Sequence, residues 1–408
     1  LTDNNGDHLI AVHGYNGSNS YGMYANFGQR PFTYTPPAGY KSLCAKNIPP
    51  NVPSLVRPKR HFETLTWTGN ATSRNITGLE FKPDFVWIKN RDDSYHHRLF
   101  DSVRGANKVL KSSATSVEAT WTQQLMSFNN DGFSLGDNSD GGNYANLNAD
   151  DYVAWCWKAG GTAVTNTVGN ISAQVSANDE AGFSIITYTG DGNSSGNVGT
   201  GLRSTQPLAM AIVKRRDDTS DWHVGHRASG QSSNFAYHTN LNTTDQLSGS
   251  SPYHMGTQSY TNGDRLYLAE GGLTSSATYV AYVWQERPGY SKFGSYTGTE
   301  NDDGPYVHLG FSPAWVMVKC TSNSEHWNIA VFTNGDRANG TVKFISPNLT
   351  NDERNMDDNP GIDFLSNGFK VRTSDGNMSR DNGAGNFIYM AFAEQPGLTP
   401  FDTFPNAR

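Results

Sequence analysis

Apolar positions along this chain are continuous rather than alternating at three places. The runs are Pro83–Lys89 (PDFVWIK), Pro207–Lys214 (PLAMAIVK) and Pro313–Lys319 (PAWVMVK). A strand with one solvated face alternates apolar and polar residues, so an unbroken apolar run predicts a strand buried on both faces. The eighth residue after each terminal lysine is His97, Trp222 or Trp327. This constant spacing predicts a hairpin of fixed loop length after each run.

Two further signals accompany each run in the same order. The run is preceded by a strand that ends in aromatic-Thr-Gly, at Trp67–Gly69, Tyr188–Gly190 and Tyr296–Gly298. It is followed by a Tyr-x-Ala-aromatic strand, at Tyr152–Trp155, Tyr279–Tyr282 and Tyr389–Phe392. We therefore predict three repeats, 61–161, 181–290 and 291–400, each large enough to bury a core. A series of similar modules is typical of a scaffold or adhesive protein, whereas an enzyme needs one asymmetric site.

The remaining pattern favours an all-β fold. Turn signals rich in Asn, Asp and Gly separate short runs of Val, Ile, Thr, Tyr and Trp, which is typical of β-sandwiches. The best helical candidate is 101–112. Residues 162–180 are polar and lack aromatic side chains, so we predict a linker there. Repeats two and three abut almost directly. Together these features predict three tandem β-sandwich-like repeats arranged as a semi-rigid rod.

The ends of the chain differ from the repeats. Residues 26–32 (NFGQRPF) followed by 34–40 (YTPPAGY) resemble the C-terminal end of a SPRY-type β-sandwich. The resemblance implies that residues 1–50 are part of a SPRY-like segment. Four prolines between positions 49 and 58 predict a stiff linker at 51–60, and residues 401–408 form a tail. The chain begins without Met or a signal peptide, so we expect an ordered part of a longer polypeptide.

Composition removes several classes of function. Only 17% of residues are charged, the net charge is −7, and no basic stripe could neutralise a nucleic-acid backbone. No run of 18 apolar residues is present, so we expect no membrane insertion. The three cysteines, at 44, 156 and 320, lie far apart and form no CxxC pair. They predict neither a disulfide framework nor a zinc site, which fits folding in a reducing cytosol.

Catalytic and metal motifs are weak. The sequence contains no GxSxG motif or phosphate-binding loop, and carboxylates such as Asp150 have no fixed partner, so we expect no enzyme activity and no cofactor. Calcium is the alternative left open. Asp191 and Asn193 begin a D-x-N pattern, but position twelve, which should be Glu, is Leu202. Ordinary turn chemistry explains the same residues.

Aromatic residues are the candidate binding groups. Tryptophans within the repeated strands are expected to pack in the core. Four aromatic residues fall instead in the variable stretches, and we predict exposed contact residues there. They are Trp121, Tyr237, Tyr253 and Tyr260. Flat aromatic rings stack on the apolar faces of sugars, although packing at a protein interface has the same composition.

The motifs together resemble a family of tailed-bacteriophage proteins described as virion structural or tail-fibre-like. The resemblance rests on the SPRY-like segment, on FKPDFVWIKNR and YVAWCWKAGG, and on SKFGSYTGTENDDGPYVHLGFSPAWVMVK. It implies a virion protein that is assembled in the host cytoplasm, and it brings no catalytic residues.

The resemblance leaves three functions to distinguish. The first is a tail fibre or adhesin subunit that presents β modules to the host surface. The alternatives are a capsid decoration or tail-scaffold protein without receptor contact, and a glycan-cleaving fibre. Expected partners are other virion proteins, copies of the chain itself (a trimer in preference to a hexamer), and a host surface glycan or protein.

Overall fold

The structure is a computed structural model that describes residues 57–394 except 138, 142–144, 230–234, 236, 249–254, 256–261, 332–342, 355–360 and 380–384. The fold is all-β, as predicted. Two 3-10 helices, Pro58–Arg60 and Glu270–Gly272, are the only helices in this part of the chain. The predicted SPRY-like segment 1–50, most of the linker 51–60 and the tail 401–408 lie outside the described residues.

Repeat one contributes nine strands in three sheets. They are β1 (Phe62–Thr68), β2 (Arg74–Thr77), β3 (Phe85–Asn90), β4 (Arg98–Asp101), β5 (Lys108–Val109), β6 (Ala119–Thr120), β7 (Leu125–Asn129), β8 (Gly132–Leu135) and β9 (Asp151–Trp157). The main sheet has the order β1-β9-β3-β4, the outer sheet has the order β2-β8-β7, and β5 pairs with β6.

The helix expected at 101–112 is wrong. Strand β4 ends at Asp101, and the carboxylate Oδ1 of Asp101 accepts the backbone N–H groups of Val103 and Arg104. These two bonds fix a turn, and the chain then returns to a strand at Lys108. A side chain that binds nearby backbone N–H groups competes with helix formation.

Repeat two lies on a larger sheet. Its strands are β12 (Phe183–Thr189), β13 (Ser195–Gly199), β14 (Leu208–Arg215), β15 (Trp222–His226), β16 (His238–Asn240), β17 (Arg265–Ala269) and β18 (Thr278–Gln285). Strands β10 (Val164–Asn166) and β11 (Ala173–Asn178) come from the segment before the repeat. The main sheet has the order β10-β11-β12-β18-β14-β15-β16, and the outer sheet is the pair β13-β17.

Residues 162–180 are therefore not a linker. Strand β11 pairs with β12 along its whole length. Ala173 and Val175 on this strand are buried in the core of repeat two, while Gln174 between them is exposed. The small, polar residues of this segment give only a weak alternation, so composition alone predicts a linker where the structure has a strand.

Repeat three repeats the arrangement of repeat one. Its strands are β19 (Ser291–Thr297), β20 (Tyr306–His308), β21 (Pro313–Cys320), β22 (Asn328–Val331), β23 (Lys343–Ile345), β24 (Gly361–Leu365), β25 (Gly368–Arg372) and β26 (Asn386–Ala393). The main sheet has the order β19-β26-β21-β22-β23, and the outer sheet has the order β20-β25-β24. In each main sheet the opening strand, the closing strand, the Pro-to-Lys strand and its hairpin partner are neighbours in that order.

The two faces of each main sheet are buried in different cores, which confirms the interpretation of the continuous apolar runs. In β3, Val86 and Ile88 face an outer core that the main sheet shares with its own outer sheet. Phe85 and Trp87 point the other way, into a central core. Each repeat is therefore a sandwich, and each main sheet also has a second apolar face.

The central core joins all three repeats. It contains Trp155 and Trp157 of repeat one, Trp222 of repeat two, and Trp315 and Trp327 of repeat three, all at most 2% exposed. Rings from different repeats touch: the centroids of Phe85 and Tyr282 are 4.4 Å apart, and those of Trp157 and Trp315 are 5.8 Å apart. The repeats form one compact unit around this core.

The junctions between repeats are related by a pseudo-threefold pattern. At the start of the second hairpin strand, a ring nitrogen donates to a backbone carbonyl of another repeat. The bonds are His97 Nε2 to Ser346 O (3.0 Å), Trp222 Nε1 to Lys111 O (2.8 Å) and Trp327 Nε1 to Asn240 O (2.9 Å). Repeat one thus donates a hydrogen bond to repeat three, repeat two donates one to repeat one, and repeat three donates one to repeat two.

A second set of bonds follows the same cycle. At equivalent positions after the Pro-to-Lys strand, a backbone carbonyl accepts an N–H group from the same neighbouring repeat. The pairs are Glu353 N to Arg91 O (2.8 Å), Glu118 N to Arg216 O (2.8 Å) and Leu247 N to Thr321 O (3.0 Å).

The expected semi-rigid rod of repeats is therefore wrong. A rod would leave the tryptophan-rich inner face of each main sheet in water, at a cost of about 25 cal/mol per Å² of apolar surface.

Candidate functional site

The three lysines with the most strongly shifted pKa values occupy equivalent structural positions in the three repeats. Lys89, Lys214 and Lys319 end the three Pro-to-Lys runs, lie one residue before the ends of β3, β14 and β21, and are fully buried. Each ammonium group donates to the backbone carbonyl of the following residue, and burial lowers the pKa of all three lysines to about 8. Lys214 and Lys319 also donate across a junction, to Thr115 O and Thr244 O. Because the same arrangement occurs three times, we assign these lysines a structural role.

A buried ion network also joins repeats one and two. The Arg104 guanidinium pairs with Asp101 and with Glu118, whose Oε2 lies 3.1 Å from Nη1. Glu118 in turn pairs with Arg216 of repeat two at 2.9 Å, and Tyr282 of repeat two donates to Asp101 at 2.7 Å. Burial opposes the charge on Arg104, but its acidic neighbours raise its pKa. Every charge in this network has a partner, as a buried ionic network requires.

A cleft lies between the end of β9 and the turn from β11 to β12. Its open volume is about 360 Å³, within the range of small-molecule sites. The groups that give it its chemistry are His61, Lys82, Asp84, Lys158, Asn178 and Glu180. It presents charges of both signs together with an imidazole and an amide.

Asp84 lines the cleft and is 2% exposed. Its Oδ1 accepts the Ser102 hydroxyl at 2.8 Å, and its Oδ2 accepts the N–H groups of Ala159 at 2.8 Å and Gly161 at 3.3 Å. Burial raises the pKa of Asp84, and these hydrogen bonds oppose that shift. The carboxylate therefore fixes the Ala-Gly-Gly turn that closes β9, and Gly161 adopts a positive φ of 78° there.

His61 is held in one orientation. Asn178 Oδ1 accepts the Ala181 N–H, so the Asn178 amide nitrogen is the group that donates to His61 Nδ1, at 2.9 Å. The proton of the neutral ring is then on Nε2, which lies 3.6 Å from Glu180 Oε1. Burial lowers the pKa of His61, and Glu180 opposes this. The ring lines the cleft and is positioned between an amide and a carboxylate, which suits it to bind a polar ligand there.

Asp84 and His61 of repeat one have no counterpart in the other two repeats. Asp84 precedes Phe85, and the residues that precede the equivalent Met210 and Trp315 are Ala209 and Ala314. His61 precedes Phe62, which pairs with Trp157 at the end of β9. The corresponding residue of repeat three is Tyr290, which precedes Ser291. Sequence reasoning missed the cleft because its residues are distant in the chain. The available signal was the departure of repeat one from its two counterparts.

The predicted contact residues are only partly placed by the structure. Trp121 is half-buried and packs against the outer core of repeat one, so it is less exposed than expected, because the β5–β6 pair holds it against that core. Tyr237 is also half-buried. Tyr253 and Tyr260 lie outside the described residues. The structure does not bring Trp121 and Tyr237 together with the cleft. The tryptophans of the repeated strands are buried, as predicted.

The calcium candidates form an exposed turn. Asn193 donates to the Asp191 carboxylate through its backbone N–H at 3.0 Å and its side-chain amide at 2.7 Å. This is the local turn chemistry that such residues supply without a metal. Within the described ranges, no group of three or more His, Cys, Asp or Glu side chains is arranged to hold a metal ion. The same part of the chain contains no helix long and apolar enough to cross a membrane.

Comparison of the sequence with known families places the chain in one of them. No curated protein matches the sequence. One family model does match, over residues 57–396, which span the three repeats and the cleft. The chain therefore belongs to the DUF7483 family, which is described as a domain of unknown function.

Proposed function

We propose that the chain is a non-enzymatic structural protein of a bacteriophage virion, namely a tail fibre or adhesin subunit that presents β modules for attachment to the host surface. The observation that carries the proposal is the closed pseudo-threefold frame. Three sandwiches share one core and are connected in a cycle by equivalent hydrogen bonds. This arrangement joins the three repeats into one compact unit.

A rigid frame with variable loops suits recognition. The frame positions are occupied by similar residues in each repeat, whereas the connections differ in length and sequence, above all in the Ser-, Asn- and Gly-rich stretch 229–260. Recognition residues are usually carried on such loops. The family resemblance of the sequence supports the same location in a virion.

The test is the position of the protein in the intact particle. Gold-labelled antibodies raised against residues 57–396 should mark the tips of tail fibres in electron micrographs and should block adsorption to the host. Labelling confined to the capsid shell or to the tube wall would contradict the adhesin proposal.

The second candidate function is a capsid decoration or tail-scaffold protein, and the same observation supports it. Three similar repeats connected in a cycle can contact equivalent neighbours at a position of local threefold symmetry. The labelling experiment separates the two candidates, because a decoration protein marks the shell and its antibodies leave adsorption unchanged. A glycan-cleaving fibre, the third candidate, would release new reducing ends from host polysaccharide.

We propose that the partners are other virion proteins, copies of the chain and a host surface glycan or protein, with no nucleic acid and no cofactor. A homotrimer stays a prediction. The inner faces of the three main sheets are already buried within one chain, so copies would have to meet through outer surfaces. Sedimentation of the purified protein measures this, and a monomer at all concentrations would contradict it.

A further inference from the structure

Tyr306 is the one aromatic residue among the large hydrophobic side chains that are exposed in the described part of the chain. It lies on β20, at the edge of the outer sheet of repeat three, and is 45% exposed. The other exposed members of this group are Val117, Val164 and Val168. A single exposed apolar side chain is common on protein surfaces, so the groups around the ring decide whether Tyr306 forms a site.

The ring is held in a defined position. A Cβ atom built on Gly368 would lie 3.1 Å from Cε2 of Tyr306, so the ring rests directly against this glycine. The Tyr306 hydroxyl donates to Asn367 Oδ1 at 2.7 Å. Because that hydroxyl has one hydrogen, the contact with His308 Nδ1 at 3.2 Å requires the imidazole to donate. The ring is thus held against the glycine at Cε2 and by its hydroxyl, while 45% of the residue stays exposed.

The sandwich does not require an aromatic residue at this position. The strand pairing places Asn75 of repeat one and Asn197 of repeat two where repeat three has Tyr306. Gly132 of repeat one, which corresponds to Gly368, pairs with Thr77 and has no aromatic ring opposite it. Covering a glycine in the strand is therefore not a sufficient reason for Tyr306. Tyr306 is specific to repeat three, and the other two repeats form the same sandwich without an aromatic residue at this position.

Polar groups of both signs surround the ring. Lys370 lies directly opposite Tyr306 in the sheet, and its ammonium group is 2.6 Å from the Asp303 carboxylate. His308 and Asn367 both contact the hydroxyl of the ring. Sugar hydroxyls both donate and accept hydrogen bonds, so they can satisfy cationic and anionic groups together. An apolar protein surface would bury those charges without compensation.

We propose that Tyr306, with Asn367, His308 and Lys370 around it, forms a platform for a pyranose unit of a host surface glycan. The apolar face of the sugar packs on the exposed part of the ring, and its hydroxyls bond to the surrounding polar groups. Binding of the sugar stands on this geometry, whereas the host surface as its source rests on the proposed attachment function.

Saturation-transfer NMR tests the platform with the intact protein. The probes are the methyl α- and β-pyranosides of glucose, galactose, mannose and N-acetylglucosamine at millimolar concentration. We expect transfer to the ring protons of at least one probe. In Tyr306→Ala, binding should weaken by at least about tenfold. Tyr306→Phe keeps the ring but loses the hydrogen bond to Asn367. Its affinity should therefore lie between those of the unaltered protein and Tyr306→Ala.

The control is Val164→Ala, which removes apolar surface from a residue that is 65% exposed elsewhere. It should bind like the unaltered protein. The platform is refuted if no pyranoside binds, or if Tyr306→Ala binds as well as the control. The attachment function fails separately, when the protein is located on the capsid shell while the sugar still binds.

Discussion

At the scale of single residues, Trp155 shows how much of the stability depends on the central core. Its indole is fully buried and lies 5.7 Å from Trp87 and 6.3 Å from Trp315, between ring centroids. We predict that Trp155→Ala lowers the free energy of unfolding by about 3 to 5 kcal/mol, the usual cost of truncating a buried aromatic side chain. Urea denaturation measures the change. The surface variant Val164→Ala should change the free energy of unfolding by less than about 0.5 kcal/mol. Equal midpoints for the two variants would mean that Trp155 on β9 does not stabilise the central core.

A buried histidine predicts a dependence on pH. His226 Nε2 donates to Tyr389 O of repeat three at 3.1 Å, and burial lowers the pKa of His226 to about 3. Between pH 6.5 and 3 the unfolded chain therefore binds a proton that the folded chain does not. Stability should be highest above pH 6.5 and should fall as pH is lowered, by about 1.4 kcal/mol per unit from this group.

The measurement is a series of urea titrations at steps from pH 7 to 4, in the unaltered protein and in His226→Gln. Other groups contribute to both slopes, so the difference between the two proteins isolates His226. The variant should show the shallower slope. Parallel curves would mean that His226 is protonated as readily in the folded as in the unfolded chain.

At the scale of elements, the junctions decide whether the cycle of repeats stays closed. Arg91 and Glu353 join repeats one and three at 2.7 Å, with side-chain exposures of only 10% and 3%. We predict that Glu353→Ala costs about 3 kcal/mol, because it leaves a buried guanidinium without its carboxylate. Adding Arg91→Ala should restore part of the loss. The matched surface variant is Glu63→Ala, which breaks a more exposed pair with Lys59 and should cost about 0 to 1 kcal/mol. Similar losses in the two single variants would contradict the role of this junction.

Sequence and structure agree on elements whose signal is local. The run Pro83–Lys89 is apolar throughout because both of its faces are buried, and that can be inferred from the sequence alone. What covers the second face cannot, since the partners of Phe85 include Tyr282, far away in the chain. Strand β11 was missed because Ala173 and Val175 give a weak alternation. The cleft was missed because His61, Asp84 and Glu180 converge only through the fold.

At the scale of the whole molecule, the shared core predicts that the repeats cannot unfold independently. Separating one repeat exposes its inner face, including the fully buried Trp155 or Trp222 or the 1% exposed Trp315, and breaks two junctions at once. A protein of residues 53–396 should therefore melt in a single calorimetric transition, with equal calorimetric and van't Hoff enthalpies. Residues 57–161 expressed alone should bind a hydrophobic dye and lack a cooperative transition, because half of their main sheet would face water. Three separable transitions, or a repeat one that folds alone with a sharp melt, would mean that the sandwiches are independent modules after all. The rigid frame on which the attachment proposal depends would then be lost with them.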